Sequence, residues 1–218
     1  MNDINQFLTD LKAATPTPGG GGAAGLAGAL AAALTQMVAG LSLGRRKYAD
    51  HHPELQEILD QAAQLQTDFE QAVHDDAHVY KRVIMVLSHQ NDKNEKATTQ
   101  AIEDALIGAA QVPLNVIQLA QRLVQLAERL IEIGLEHAQA DAAAAIFLAQ
   151  GISKTSLLNI KANMREVGNP KLKTSWINKG TRLVDSINEA ADRVEAQLSE
   201  KLSKPHSADR KRRRRRSN

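Results

Sequence analysis

The chain has 218 residues, 27 Lys and Arg against 25 Asp and Glu, and no cysteine. That length can bury one good core or two small ones, and the missing cysteines exclude a disulfide framework and a thiolate zinc site. With no basic-then-apolar leader at the N-terminus, the composition favours the cytoplasm. The net charge of +2 hides an asymmetry: seven of the cations lie in RKRRRRR, Arg210–Arg216. Without that run the body carries about −5 by side-chain counting.

In chain order, helical periodicity appears almost everywhere and strand signals are nearly absent. Ile4, Phe7, Leu8 and Leu11 make a short amphipathic opener. A run of four glycines, Gly19–Gly22, then leads into a long small-residue helix ending near Gly44. Its segment from Ala23 to Leu43 is long enough to span a bilayer. Alanine and glycine dominate it, however, and Thr35 and Gln36 interrupt it, so it reads as a buried helix and not a membrane span.

Pro53 starts a third helix carrying Leu55, Ile58, Leu59, Ala62, Leu65, Phe69 and Val73 to about Leu87. SHQNDKN breaks the pattern, which resumes around Ala97 with a kink or restart expected at Pro113. From Val116 the spacing Val116, Ala120, Leu123, Ala127, Leu130 forms a bundle stripe down to Gly134. Two helices are predicted next, Ala138–Ala149 and Thr155–Val167. Gly168 and Pro170 stop the second, and a last helix runs from about Ser175 to Leu202. The pattern predicts an all-α antiparallel bundle over residues 1–202, with residues 203–218 as a disordered basic tail.

Several residues could carry chemistry. The first N–H groups of a helix lack partners, and glycine lets a ligand approach them closely. Gly19, Gly20, Gly21 and Gly22 are therefore read as a ligand cradle, and Gly25 and Gly28 as packing glycines. No Lys-Ser/Thr follows and no strand precedes, so this is not a nucleotide P-loop. Asp141 is a lone carboxylate followed by Ala142–Ala145; it is either a buried acid–base group of raised pKa or a residue that offsets the helix dipole. Asp75 and Asp76 are adjacent, so only one can face a given side.

His74 and His78 have helical metal-site spacing, but an inward Asp76 turns both outward and no third ligand is identifiable, so no metal is expected. Arg45, Arg46 and Lys47 suit a helix C-terminus and would also hold carboxylates. Asn159 and Asn163 share a helix face and can present donor and acceptor together to a polar ring. The Arg210–Arg216 run would contact nucleic acid without sequence specificity, since no aromatics are interleaved.

The segments PTPGGGGAAGLAGALAAAL, LSLGRRKY, DDAHVY, AAQVPL, ADAAAA and LLNIKAN occur in the order seen in the cyclodeaminase/cyclohydrolase family, which the chain resembles over roughly residues 4 to 200. The resemblance implies an all-helical dimer acting on one-carbon-substituted folates. It also implies Asp141 and an inward Asp76 as catalytic residues, with no metal or redox cofactor. The implied reactions are hydrolysis of 5,10-methenyltetrahydrofolate and, as an alternative, cyclodeamination of formiminotetrahydrofolate. A non-catalytic helical protein that docks nucleic acid through its tail is a second alternative. The chain departs from the family pattern at Gly22, where serine is usual, and at Ala140, where a Ser-Asp pair is common. It departs again at Leu87-Ser88-His89, where Leu-Pro-Lys is usual.

Overall fold

Rows of alanine and leucine at a helical period can leave water only by lying against one another. The computed structural model, which describes residues 4–88 and 95–203 (the side chains of 95–98 apart), is built accordingly. Its helices are α1 (Ile4–Leu11), α2 (Gly20–Leu43), α3 (His52–Ser88), α4 (Glu95–Ile133), α5 (Gln139–Arg165) and α6 (Pro170–Ser203). Short 3-10 turns, Arg46–His51 and Glu136–Ala138, join α2 to α3 and α4 to α5. No strand occurs among the described residues. Of the polar break SHQNDKN, Ser88 still belongs to α3 and residues 89–94 lie outside the described residues, as does the run Arg210–Arg216.

Helix α2 is central, packed against α3 and α5 and less extensively against α4, while α4 and α5 also carry α6. Small residues make the α2–α3 approach close. A Cβ on Gly28 would collide with the ring of Phe69, which is fully buried, and one on Gly25 would lie 2.7 Å from Val73 Cγ2. The α4 stripe Val116, Ala120, Leu123, Ala127 and Leu130 is buried throughout, as its spacing predicts. Of the opener only Phe7 is buried, whereas Ile4 and Leu8 are exposed.

Helix α4 passes through Pro113 as one element, so of the kink or restart expected there the restart does not occur. The structure departs from the predicted elements in two places. Helix α5 is one element, not two, because the hydroxyls near its middle bond back to their own helix: Ser153 to the Gln150 carbonyl at 2.8 Å and Thr155 to that of Gly151 at 3.0 Å. Helix α6 begins at Pro170 and not near Ser175. Proline suits the first helical position, and Asn169 caps it by accepting from the N–H groups of Lys171 (3.1 Å) and Leu172 (3.2 Å).

Two ties hold the bundle's far end. Ser42 Oγ accepts from the Leu135 N–H at 2.8 Å and donates to the Val38 carbonyl at 2.7 Å. Lys201 bridges Glu136 and Gln139, both at 2.8 Å, and so fastens the end of α6 to the start of α5.

Candidate active site

Helix α2 starts without a cap of its own. Gly19 precedes it in an extended conformation and has no side chain to offer the first N–H groups. The missing acceptor comes from α3, where the Asp76 carboxylate accepts a hydrogen bond from the backbone N–H of Gly22. Gly21 makes room for it, since a Cβ there would collide with that carboxylate. Burial pushes the Asp76 carboxyl above its ordinary value, and the Gly22 N–H offsets part of the rise.

This contact makes a signed prediction about two glycines. Gly21→Ala is expected to destabilise the fold by about 1–3 kcal/mol through overpacking. Gly108→Ala, on α4 with open space around its Cβ position, is expected to stabilise it by up to about 1 kcal/mol. Thermal melting of the two variants checks both signs.

Around Asp76 lies a cavity of about 200 Å³. The segment before α2 and its first turn give Pro16, Thr17, Gly19, Gly20 and Gly21, and α3 gives Asp76 and Tyr80. Ala109 and Pro113 come from α4, and Asn159, Ala162 and Asn163 from α5. A half-buried carboxylate, two side-chain amides and the start of a helix therefore converge on one small volume. Such a set can accept and return a proton while gripping both donors and acceptors of a flat polar ligand.

The remaining predicted residues lie elsewhere. Gly22 is buried beside Pro18, Val73 and Phe7, and it reaches the site only through its N–H to Asp76. A Cβ at Gly22 would sit 3.3 Å from that of Pro18, so a serine there would be crowded. Asp75 faces a separate cavity of about 370 Å³ on the other flank of α3, with Asp68, Asn115 and Arg122. That larger space holds none of the predicted catalytic or binding residues.

His74 and His78 are exposed. No group of three or more His, Cys, Asp or Glu able to hold a metal occurs among the described residues. Arg45, Arg46 and Lys47 are exposed at the opposite end of α2, where Lys47 lies 3.9 Å from Glu136. Asp141 is half-buried in the first turn of α5. At 1.5 Å per residue it is about 27 Å along that helix from Asn159. Within one chain, then, Gly19–Gly21, Asp76, Asn159 and Asn163 meet, whereas Asp141 and the cationic cluster do not join them.

Tyr80, Ala109 and Pro113 were not predicted as site residues. Tyr80 follows Asp76 by four residues, so helical spacing alone could have placed it on the same face. Pro113 was visible as a proline inside a helical pattern.

The model of the formiminotransferase-cyclodeaminase family matches residues 3–180. The chain belongs to that family. The family match spans all four helices that line the cavity. A methenyltetrahydrofolate cyclohydrolase of Methylorubrum extorquens is 32% identical over 164 residues, 74% of this chain and 79% of that one. The crystal structure of a formiminotetrahydrofolate cyclodeaminase from Thermotoga maritima superposes with a TM-score of 0.84, covering 92% of this chain and 97% of that chain at 22% identity. The two chains therefore share one helical fold at low sequence identity.

Proposed function

We propose that this chain hydrolyses 5,10-methenyltetrahydrofolate to 10-formyltetrahydrofolate, with Asp76 as the acid–base group. The observation that carries the reading is the half-buried carboxylate of raised pKa in a cavity it shares with Asn159 and Asn163. The methenyl carbon is cationic, so a carboxylate beside it both attracts the substrate and draws a proton from the attacking water. Water oxygen bonds to that carbon as its proton passes to Asp76. The bond from carbon to N5 then breaks, the proton goes to N5, and the formyl group stays on N10. One proton is released overall, since the cation becomes a neutral amide. Asn159 and Asn163 grip the pterin edge, and the N–H groups of Gly20 and Gly21, free of helical partners, face its acceptors.

The active unit in this reading is a homodimer. The outward row of α2, Ala23, Leu26, Leu30, Ala33, Met37 and Gly40, alternates three- and four-residue steps like a coiled-coil seam. Leu30, Met37 and Leu41 are exposed on α2, and Phe147, Leu148 and Leu158 on neighbouring α5. A two-fold axis perpendicular to α2 would lay two copies antiparallel. The Gly20 end of one copy then meets the Arg45 end of the other. That arrangement brings Asp141 and the Arg45–Lys47 cations of one chain to the other's cavity, where the cations hold the glutamate carboxylates of the folate. The Cys-free composition supports a cytoplasmic enzyme, and Arg210–Arg216 is assigned at most a non-specific, salt-sensitive nucleic-acid contact.

The deciding experiment follows the ultraviolet band of 5,10-methenyltetrahydrofolate with purified protein, beside a parallel assay with formiminotetrahydrofolate. Loss of the band well above the spontaneous rate is expected. Turnover of the formimino compound alone would replace hydrolysis by cyclodeamination, and turnover of neither would leave a non-catalytic folate binder or a nucleic-acid-docking protein.

A further inference from the structure

Pro113 stands inside α4, where it has no N–H to give. In an uninterrupted helix residue 113 would donate to the carbonyl of residue 109. The Ala109 carbonyl therefore lacks its i+4 helical donor, and a proline ring at this spacing crowds such a carbonyl. Ala109 is buried, so water does not readily replace the lost partner. Both residues line the Asp76 cavity, one helical turn apart.

We infer that the Ala109 carbonyl is a substrate-binding acceptor, and that Pro113 is the positioning residue that frees it. The inference rests on the folate reading above and deepens it. A reduced pterin ring carries N–H donors along its edge and needs acceptors as well as donors around it. The start of α2 offers N–H groups, which suit only the ring's acceptors. Asp76 is directed at the reacting carbon and already takes the Gly22 N–H. The freed carbonyl supplies the fixed acceptor that the cavity otherwise owes to the two asparagine amides. A backbone group does this with little rearrangement on binding, because the helix on either side holds it.

Pro113→Ala and Pro113→Val test the assignment together, since each returns an N–H to position 113 and valine keeps more of the apolar bulk. Both variants are expected to melt at a higher temperature than the unmodified protein, because the helix regains its bond to Ala109. Both are expected to bind tetrahydrofolate, the non-reacting probe, about tenfold more weakly by titration calorimetry. In the turnover assay KM rises by a similar factor while kcat moves less than about twofold. Unchanged affinity in both variants overturns the inference. A loss confined to the alanine variant also overturns it, because packing would then be the cause. Lower melting temperatures in both overturn it as well, since the carbonyl would not have been free. Failure of the unmodified protein to bind tetrahydrofolate would instead overturn the folate reading, and this ligand with it.

Discussion

Asp76→Asn is expected to slow hydrolysis of methenyltetrahydrofolate by at least about 100-fold, and yet to raise the melting temperature at neutral pH. Burial raises the Asp76 pKa, so the folded chain holds this proton more tightly than the unfolded one. The associated stability is fully present below the ordinary aspartate range and is lost as pH rises through the folded-state value. Asparagine carries no charge, and its side-chain oxygen can still accept from the Gly22 N–H. The difference between variant and parent should therefore open as pH rises and close in acid. Melting curves across that range, set beside steady-state rates, read both effects. A variant that is slow but also less stable at neutral pH would make Asp76 a structural cap and no more.

The second large effect concerns two inactive proteins that work when mixed. Asp76→Asn and Asp141→Asn are each expected to lose activity, because the antiparallel dimer proposed above would need one residue from either chain at every site. After subunit exchange, half of the dimers are mixed, and one of the two sites in each mixed dimer has both aspartates. Activity should recover to about a quarter of the parent level. No recovery, with exchange verified by differently tagged subunits, would place both residues in one chain's site. Full activity of Asp141→Asn alone would assign that residue to the dipole of α5.

What could be read from the chain followed its local chemistry. The buried rows of α3 and α4 were legible because a helical period repeats over many turns. The start of α6 is not legible in this way, because Pro170 in isolation reads as a stop. Asn169 immediately before it makes that proline the first helical residue. The break assigned inside α5 failed for a related reason: Ser153 and Thr155 suggest a turn in isolation, yet their hydroxyls find acceptors on their own helix.

At the site, Asp76, Asn159 and Asn163 were singled out by residue type and family resemblance, and the structure sets them around one cavity. Their convergence depends on how α2, α3, α4 and α5 pack, which no spacing along the chain encodes. For the same reason, nothing in the sequence warned that Asp141 and Arg45 would stand at the opposite end of the bundle from Asp76. The role of Pro113 needed both kinds of information, a covalent fact about proline and the position of a cavity.

The borrowed cap at the start of α2 bears on how this protein folds. A helix that opens on three glycines nucleates poorly there, and its first turn gains its acceptor only when a distant part of the chain arrives. The floor of the cavity is thus a late, long-range contact and not a preformed loop. During folding it should order after the α2–α3 core, and in the native protein it should be among the first places to open. Amide hydrogens of Gly20–Gly22 would then exchange faster than those around Gly28, until a ligand closes the end of the helix.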